Sequence, residues 1–331
     1  MSKTRVSGVD TEGAAAPLVT VLMPVFNGER FLAEQIDSIL SQDIERSVRL
    51  VALDDGSSDS SLEILEGYRR RDRRVEVLKA TANRGFVASI SVLLGRVDTP
   101  FFALADQDDV WDSGKLRKSV ARLVTTGASL VYSDVRLIRS SGTVYEKSYW
   151  SSLGLRPYVG DDPVPFVFRN PVVGHTIVGT RELAILARPI PVGLRYHEVW
   201  IVYRASMTGG LSYVNEQLGS YRVHDANVVG PAAASWGARL CRGLRVQVVI
   251  SRNETRRAAL QVIAACEPTL RPIALALSAT GVQARLKNSY SVWRFLRKYR
   301  GIIGTQVEKE VALYLLEGLF VGPGRFRVSE R

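Results

Sequence analysis

Apolar runs alternate with amphipathic stretches through the first two thirds of the chain. Residues 18–25 (LVTVLMPV) are apolar and β-branched-rich without polar alternation, as in a strand covered on both faces. The turn Phe26-Asn27-Gly28 ends that strand. Residues 30–42 then place Phe31, Leu32, Ile36, Ile39 and Leu40 at helical spacing. A second strand, 48–53, runs into Asp54-Asp55-Gly56-Ser57-Ser58-Asp59. Ser58 or Asp59 is expected to cap the helix that carries Leu62, Ile64 and Leu65. A third strand covers 75–78, and Asn83-Arg84-Gly85 opens a helix to about Gly95. The run 101–105 is a fourth strand, 115–126 a helix and 130–133 a fifth strand.

This alternation predicts βαβ units and an α/β fold with a mainly parallel sheet and helices on both faces. Ligands of such sheets bind beyond the carboxyl ends of the strands. Three strands end in polar turns at Asn27, at Asp54-Asp55 and at Asp106-Gln107-Asp108-Asp109, which should lie along one rim.

The middle block is less regular. Residues 140–162 hold Gly, Pro and the aromatics Tyr145, Tyr149, Trp150 and Tyr158, either as an acceptor-facing loop or as a connector. Residues 170–179 read as a strand, 181–187 and 196–207 as helices, and 211–214 and 218–221 as two short strands. All three histidines, His175, His197 and His224, fall here. His224 follows the last short strand and could meet the acidic cluster in space.

The net charge of +11 changes this picture, because it is uneven. Residues 1–230 hold 27 Lys/Arg against 27 Asp/Glu, whereas 231–331 hold 17 against 6. The expected division is a flexible 1–17, an α/β domain over 18–230 and a basic helical 231–331. Residues 284–303 mix Trp293, Phe295 and Tyr299 with basic groups. They fit an interfacial helix on an anionic membrane surface, or equally a helical subdomain with a solvated basic face. No nucleic-acid recognition motif accompanies the charge. Two cysteines without zinc-like spacing suit a reduced, cytoplasmic setting. The N-terminus shows no secretory leader, and no run of about 18 apolar residues predicts a spanning helix.

The stretch FFALADQDDVW, 101–111, carries the candidate chemistry. Three carboxylates within four residues repel one another unless positive charge sits among them. A divalent cation with oxygen ligands is one filler, and it could bridge to substrate phosphates. An acidic turn with Asp112 as a helix cap is the plainer reading.

VTVLMPVFNGERFLAEQIDSILSQ, LDDGSSD, NRG, ADQDDVW and YRVH, in this order, resemble a bacterial family 2 glycosyltransferase of the GT-A fold over about residues 18–230. ADQDDVW with Asn170-Pro171, Tyr196-His197-Glu198-Val199-Trp200 and YRVHDANVVG is most similar to the rhamnosyltransferase-like branch. The resemblance implies that Pro24, Val25, Phe26, Asn27, Asp54, Asp55 and Arg84 line the nucleotide pocket. It implies roles at the donor for Asp106, Gln107, Asp109 and Trp111, and a metal, Mn²⁺ or Mg²⁺, on Asp106, Asp108 and His224. Glu198 falls where the family places its catalytic base, most often an aspartate. The implied activity is inverting transfer of a sugar, with dTDP-rhamnose favoured over a UDP-sugar, to a glycan or lipid-linked acceptor at the inner face of the cell membrane. A nucleotidyltransferase and an inactive binding protein are the alternatives.

Overall fold

The computed structural model describes residues 16–44, 48–163, 166, 170–224, 262–264 and 297. Strand β1 (Val19–Val25) is buried along its whole length because it has sheet neighbours on both sides. It pairs in parallel with β2 (Val48–Asp54) and β4 (Phe101–Leu104), and β3 (Val75–Lys79) extends the sheet beyond β2, also in parallel. The two-residue period of a strand divides its side chains between two layers. Val19, Val21, Met23 and Val25 share a core with α1 (Leu32–Leu40), α2 (Ser61–Arg71) and α4 (Lys115–Thr126). Leu22 faces the other core, with α3 (Phe86–Leu93), α6 (Arg181–Leu186) and α7 (His197–Ser206).

The second half of the sheet is mixed rather than parallel. β8 (Val178–Thr180) lies antiparallel between β4 and β6 (Leu130–Arg139). β6 pairs in parallel with β9 (Leu211–Val223), while β5 (Val110–Trp111) is antiparallel to β9 and β7 (Val144–Glu146) to β6. The order is β3-β2-β1-β4-β8-β6-β9-β5, with β7 attached to β6.

Several expected boundaries shift for identifiable reasons. The two short strands expected at 211–214 and 218–221 are one strand. Asn215 and Glu216 are exposed, and register shifts around Asp134 absorb the polar stretch without ending the pairing. The strand expected over 170–179 shrinks to β8, because a 3-10 turn, Gly174–Thr176, occupies its centre. The irregular stretch 140–162 contains β7 and a short helix, α5 (Tyr149–Leu153), capped by the Ser148 hydroxyl. At α2 the capping position is Ser60, not Ser58 or Asp59; Asp59 Oδ1 instead accepts from Ser61 N–H at 3.0 Å.

Part of the C-terminal region belongs to the core. Val262, Ile263 and Ala264 are helical, and Ile263 is wholly buried in the cluster that holds α3 and α7. The rest of the basic stretch 284–303, apart from exposed Arg297, lies outside the described residues. Among the described residues no helix is long and apolar enough to cross a membrane.

Candidate active site

The site stands on the edge where β1, β2 and β4 end. Val25 pairs with Asp54 across β1 and β2, so the turns that follow begin side by side. They are then laced together. Asn27 N–H donates to Ser57 Oγ at 3.0 Å, and Asn27 Oδ1 accepts from Ser58 N–H at 2.8 Å. Asn27 takes φ 50°, a left-handed conformation that Asn tolerates better than most residues. The Gln107 amide clips the β4 turn onto the β1 turn, with Oε1 accepting from Phe26 N–H at 2.8 Å and Nε2 donating to Phe26 O at 3.0 Å.

The two aspartates after β2 differ in what they have left to offer. Asp55 accepts Arg84 N–H at 3.1 Å and Gly85 N–H at 2.9 Å, capping α3 where its dipole favours a carboxylate. Arg84 Nε lies 3.6 Å from the same group. Asp54 is equally buried, but its Oδ2 takes only a long 3.4 Å bond from Ser57 N–H and its Oδ1 has no partner. A buried orphan acceptor is costly. Asp54 is therefore the one of the pair with an unpartnered oxygen. Pro24 and Val25 are buried within β1, whereas Phe26 and Asn27 are exposed.

The three carboxylates after β4 go to different partners. Asp108 Oδ2 lies 2.8 Å from His224 Nε2, at the end of β9, and both side chains keep 15% exposure. Asp106 Oδ2 lies 3.2 Å from His175 Nδ1. Asp109 is buried; its Oδ1 accepts Arg222 N–H at 2.9 Å, and its Oδ2 sits 2.8 Å from His175 Nδ1 without hydrogen-bond geometry. Burial pushes the Asp109 carboxyl up to about 6, although His175 pulls it down. Burial also works against the charge on Asp106, but the His175 bond wins and holds that carboxyl below its ordinary value. For His175 burial is likewise outweighed, by Asp109 and Asp106, which raise it to about 9.

Two further cations hold this loop from behind. Lys115 Nζ donates to His175 O at 2.7 Å and lies 3.7 Å from the centroid of the Trp111 ring; burial lowers its pKa to about 7. Fully buried Arg222 donates from Nε to Asp108 O at 2.8 Å and from Nη2 to Glu34 Oε2 at 2.6 Å. Asp109 and Trp111, expected to shape the donor pocket, are both buried.

Glu198 opens α7 across from this loop, with 17% side-chain exposure. Burial raises its carboxyl to about 7, with a smaller contribution from the charge of Asp106. Its neighbour His197 is buried with Nδ1 3.5 Å from Glu198 Oε2 and no hydrogen bond on either nitrogen, and burial pushes it down to about 4. A Cβ at Gly174 would come within 2.5 Å of the His197 ring, so that glycine lets the turn carrying His175 close against α7.

Residues 20–180 match the model of Glycosyl transferase family 2. That match takes in just under half of the chain and makes it similar to family 2 glycosyltransferases. An uncharacterized glycosyltransferase of Haemophilus influenzae is 26% identical over 219 residues, which is 63% of this chain and 66% of that protein. The UDP-Glc:alpha-D-GlcNAc-diphosphoundecaprenol beta-1,3-glucosyltransferase WfgD of Escherichia coli is 27% identical over 127 residues, 38% of this chain and 49% of that protein. The chain thus spans about half to two thirds of the length of these curated relatives. S. aureus TarS 1-349 in complex with UDP matches over 94% of both chains with a TM-score of 0.54 at 15% identity. Mannosyltransferase PcManGT from Pyrobaculum calidifontis, in complex with GDP-Man and Mn²⁺, covers 92% of this chain and 87% of its own, with a TM-score of 0.51 at 16% identity. These likenesses are of fold, and the fold is GT-A.

The expected trio Asp106, Asp108 and His224 divides. Among the described residues the group of three whose ligand atoms lie within 4.8 Å of one another is Asp106, Asp109 and His175. Two of its members are almost wholly buried, and His175 Nδ1 already faces both carboxylates. Asp108 and His224 stay at the rim with 15% exposure each, and a carboxylate oxygen beside an imidazole nitrogen is a donor set that could hold Mn²⁺ or a similar ion. His175, Lys115 and Arg222 went unassigned in the sequence. Arg222 alone had a signal, its place in YRVH; His175 reaches Asp106 across 69 residues, and Lys115, close to the loop in sequence, bonds the His175 carbonyl 60 residues on.

Proposed function

We propose that the chain is an inverting, metal-assisted glycosyltransferase that moves a sugar from a nucleoside-diphosphate donor to a polysaccharide or lipid-linked acceptor. The observation that carries this reading is the Asp108–His224 pair, 2.8 Å apart, with Glu198 near enough to Asp106 to feel its charge; Asp54, after β2, keeps a buried oxygen without a partner. Asp54 would read the base and Asp106 the ribose. Asp108 and His224 would hold a divalent cation, which offsets the charge developing on the departing diphosphate. Glu198 takes the proton of the acceptor hydroxyl as its oxygen bonds to the anomeric carbon and the bond to the diphosphate breaks. One displacement leaves the anomeric configuration inverted, and no nucleophile of the protein is needed.

The resemblance of ADQDDVW, YHEVW and YRVH supports dTDP-rhamnose as donor, and the lipid-linked substrate in the name of WfgD supports an acceptor of that class. The excess charge of 231–331 supports placement on an anionic membrane surface. A thermal-shift panel of dTDP-, UDP- and GDP-sugars with and without Mn²⁺ tests the donor. A matching donor at 100 times its Kd adds about 2.7 kcal/mol, or roughly 5–10 °C for a domain of this size. That shift should require metal. No shift from any nucleotide sugar under either condition would overturn the reading.

A further inference from the structure

We infer that His175 is a positioning residue of this site: its Nδ1–H fixes the carboxylate of Asp106 so that the second oxygen faces the donor. The inference rests on the proposed function and adds a residue to it.

Three carboxylates within four residues need positive partners. His175, in the 3-10 turn, brings Nδ1 to 3.2 Å from Asp106 and 2.8 Å from Asp109, while Lys115 and Arg222 donate to the carbonyls of His175 and Asp108 rather than to these carboxylates. His175 is the one whose side chain touches Asp106. Its ring is clamped. Lys115 Nζ holds its carbonyl at 2.7 Å, the Tyr221 ring lies 5.3 Å away, and the side chain is 2% exposed. The polar work of the ring is on one edge, since Nδ1 faces Asp106 and Asp109 while Nε2 is buried without a partner.

That geometry separates positioning from ligation and from proton relay. A relay needs a second partner at Nε2. As a metal ligand His175 would have to give up its bond to Asp106 from a side chain only 2% exposed, whereas the Asp108–His224 pair at the rim keeps 15%. What remains is orientation of a group at the donor, and loss of such outer partners typically costs about 10- to 100-fold in activity or metal affinity.

The edge specificity supplies the test. Asparagine places its amide nitrogen where histidine has Nδ1; glutamine places it where histidine has Nε2. His175→Asn should therefore recover most of the wild-type behaviour, and His175→Gln should not. The readouts are Kd by calorimetry for UDP, GDP and dTDP, each with Mn²⁺, then kcat and KM for donor turnover, and the melting temperature. His175→Gln is expected to lose about 10- to 100-fold in kcat/KM and to weaken nucleotide binding with Mn²⁺. Its melting temperature should stay close to that of His175→Asn. Equal losses in both variants, in step with lowered melting temperatures, would assign His175 a space-filling role and overturn the inference. So would a glutamine variant indistinguishable from wild type. A wild-type protein that binds no nucleotide and turns over no donor overturns the proposed function itself, which a failure confined to the variants does not.

Discussion

Glu198 is the residue on which the proposed chemistry turns. A general base must be ionised, and burial raises this carboxyl to about 7. The protonated fraction grows as pH falls, so kcat/KM should decline below about pH 7 and level off above it. A flat profile between pH 6 and 8 would count against Glu198. Glu198→Gln keeps size and hydrogen bonding but cannot take the proton, so turnover should drop by about 10²–10⁴-fold with donor affinity retained. Glu198→Asp should keep more activity. At the rim, Asp108→Asn should weaken Mn²⁺ binding and nearly abolish transfer while the melting temperature holds; unchanged metal affinity would exclude Asp108 as a ligand. The sequence placed Asp108 and His224 within reach of each other because each follows a strand, and they stand 2.8 Å apart. It gave no such hint for His175 or Lys115. A lone basic residue reads the same whether it faces water or a buried carboxylate, until folding brings the partner across.

At the scale of elements, local pattern served best where the partners of a strand are close in sequence. The helix at 115–126 and strands β1 to β4 lie where the apolar runs put them, to within a residue or two. Pattern served less well from residue 130 on, where β8 and β9 are set by distant pairing, and a polar interruption such as Asn215-Glu216 does not end a strand whose backbone bonds continue. Gly179 shows how tightly these inserted strands are held. A Cβ there would lie 2.5 Å from the Phe102 ring, which is itself fully buried. Gly179→Ala should therefore destabilise by about 1–3 kcal/mol through overpacking, seen as a lower urea midpoint at unchanged m. An unshifted midpoint would mean that β8 has room to move.

At the scale of the whole molecule, the charge asymmetry marked a division near residue 230, but the core crosses it. Ile263 is wholly buried against the cluster of α3 and α7. A protein ending at Gly230 should be less stable than the full chain by about 1.5–3 kcal/mol for that side chain alone, measured by urea unfolding. The full chain should also bind anionic vesicles, and more weakly as salt rises, because exposed charges are screened over about 8–10 Å. Vesicle binding that ignores salt would remove the electrostatic part of the membrane reading. The central claim concerns the reaction, and the products decide it most directly. With a nucleotide sugar identified by thermal shift, Mn²⁺ and an acceptor extract, the wild-type protein should release nucleoside diphosphate in a metal-dependent way and form a glycoside of inverted configuration. Release of pyrophosphate, or a product of retained configuration, would contradict it.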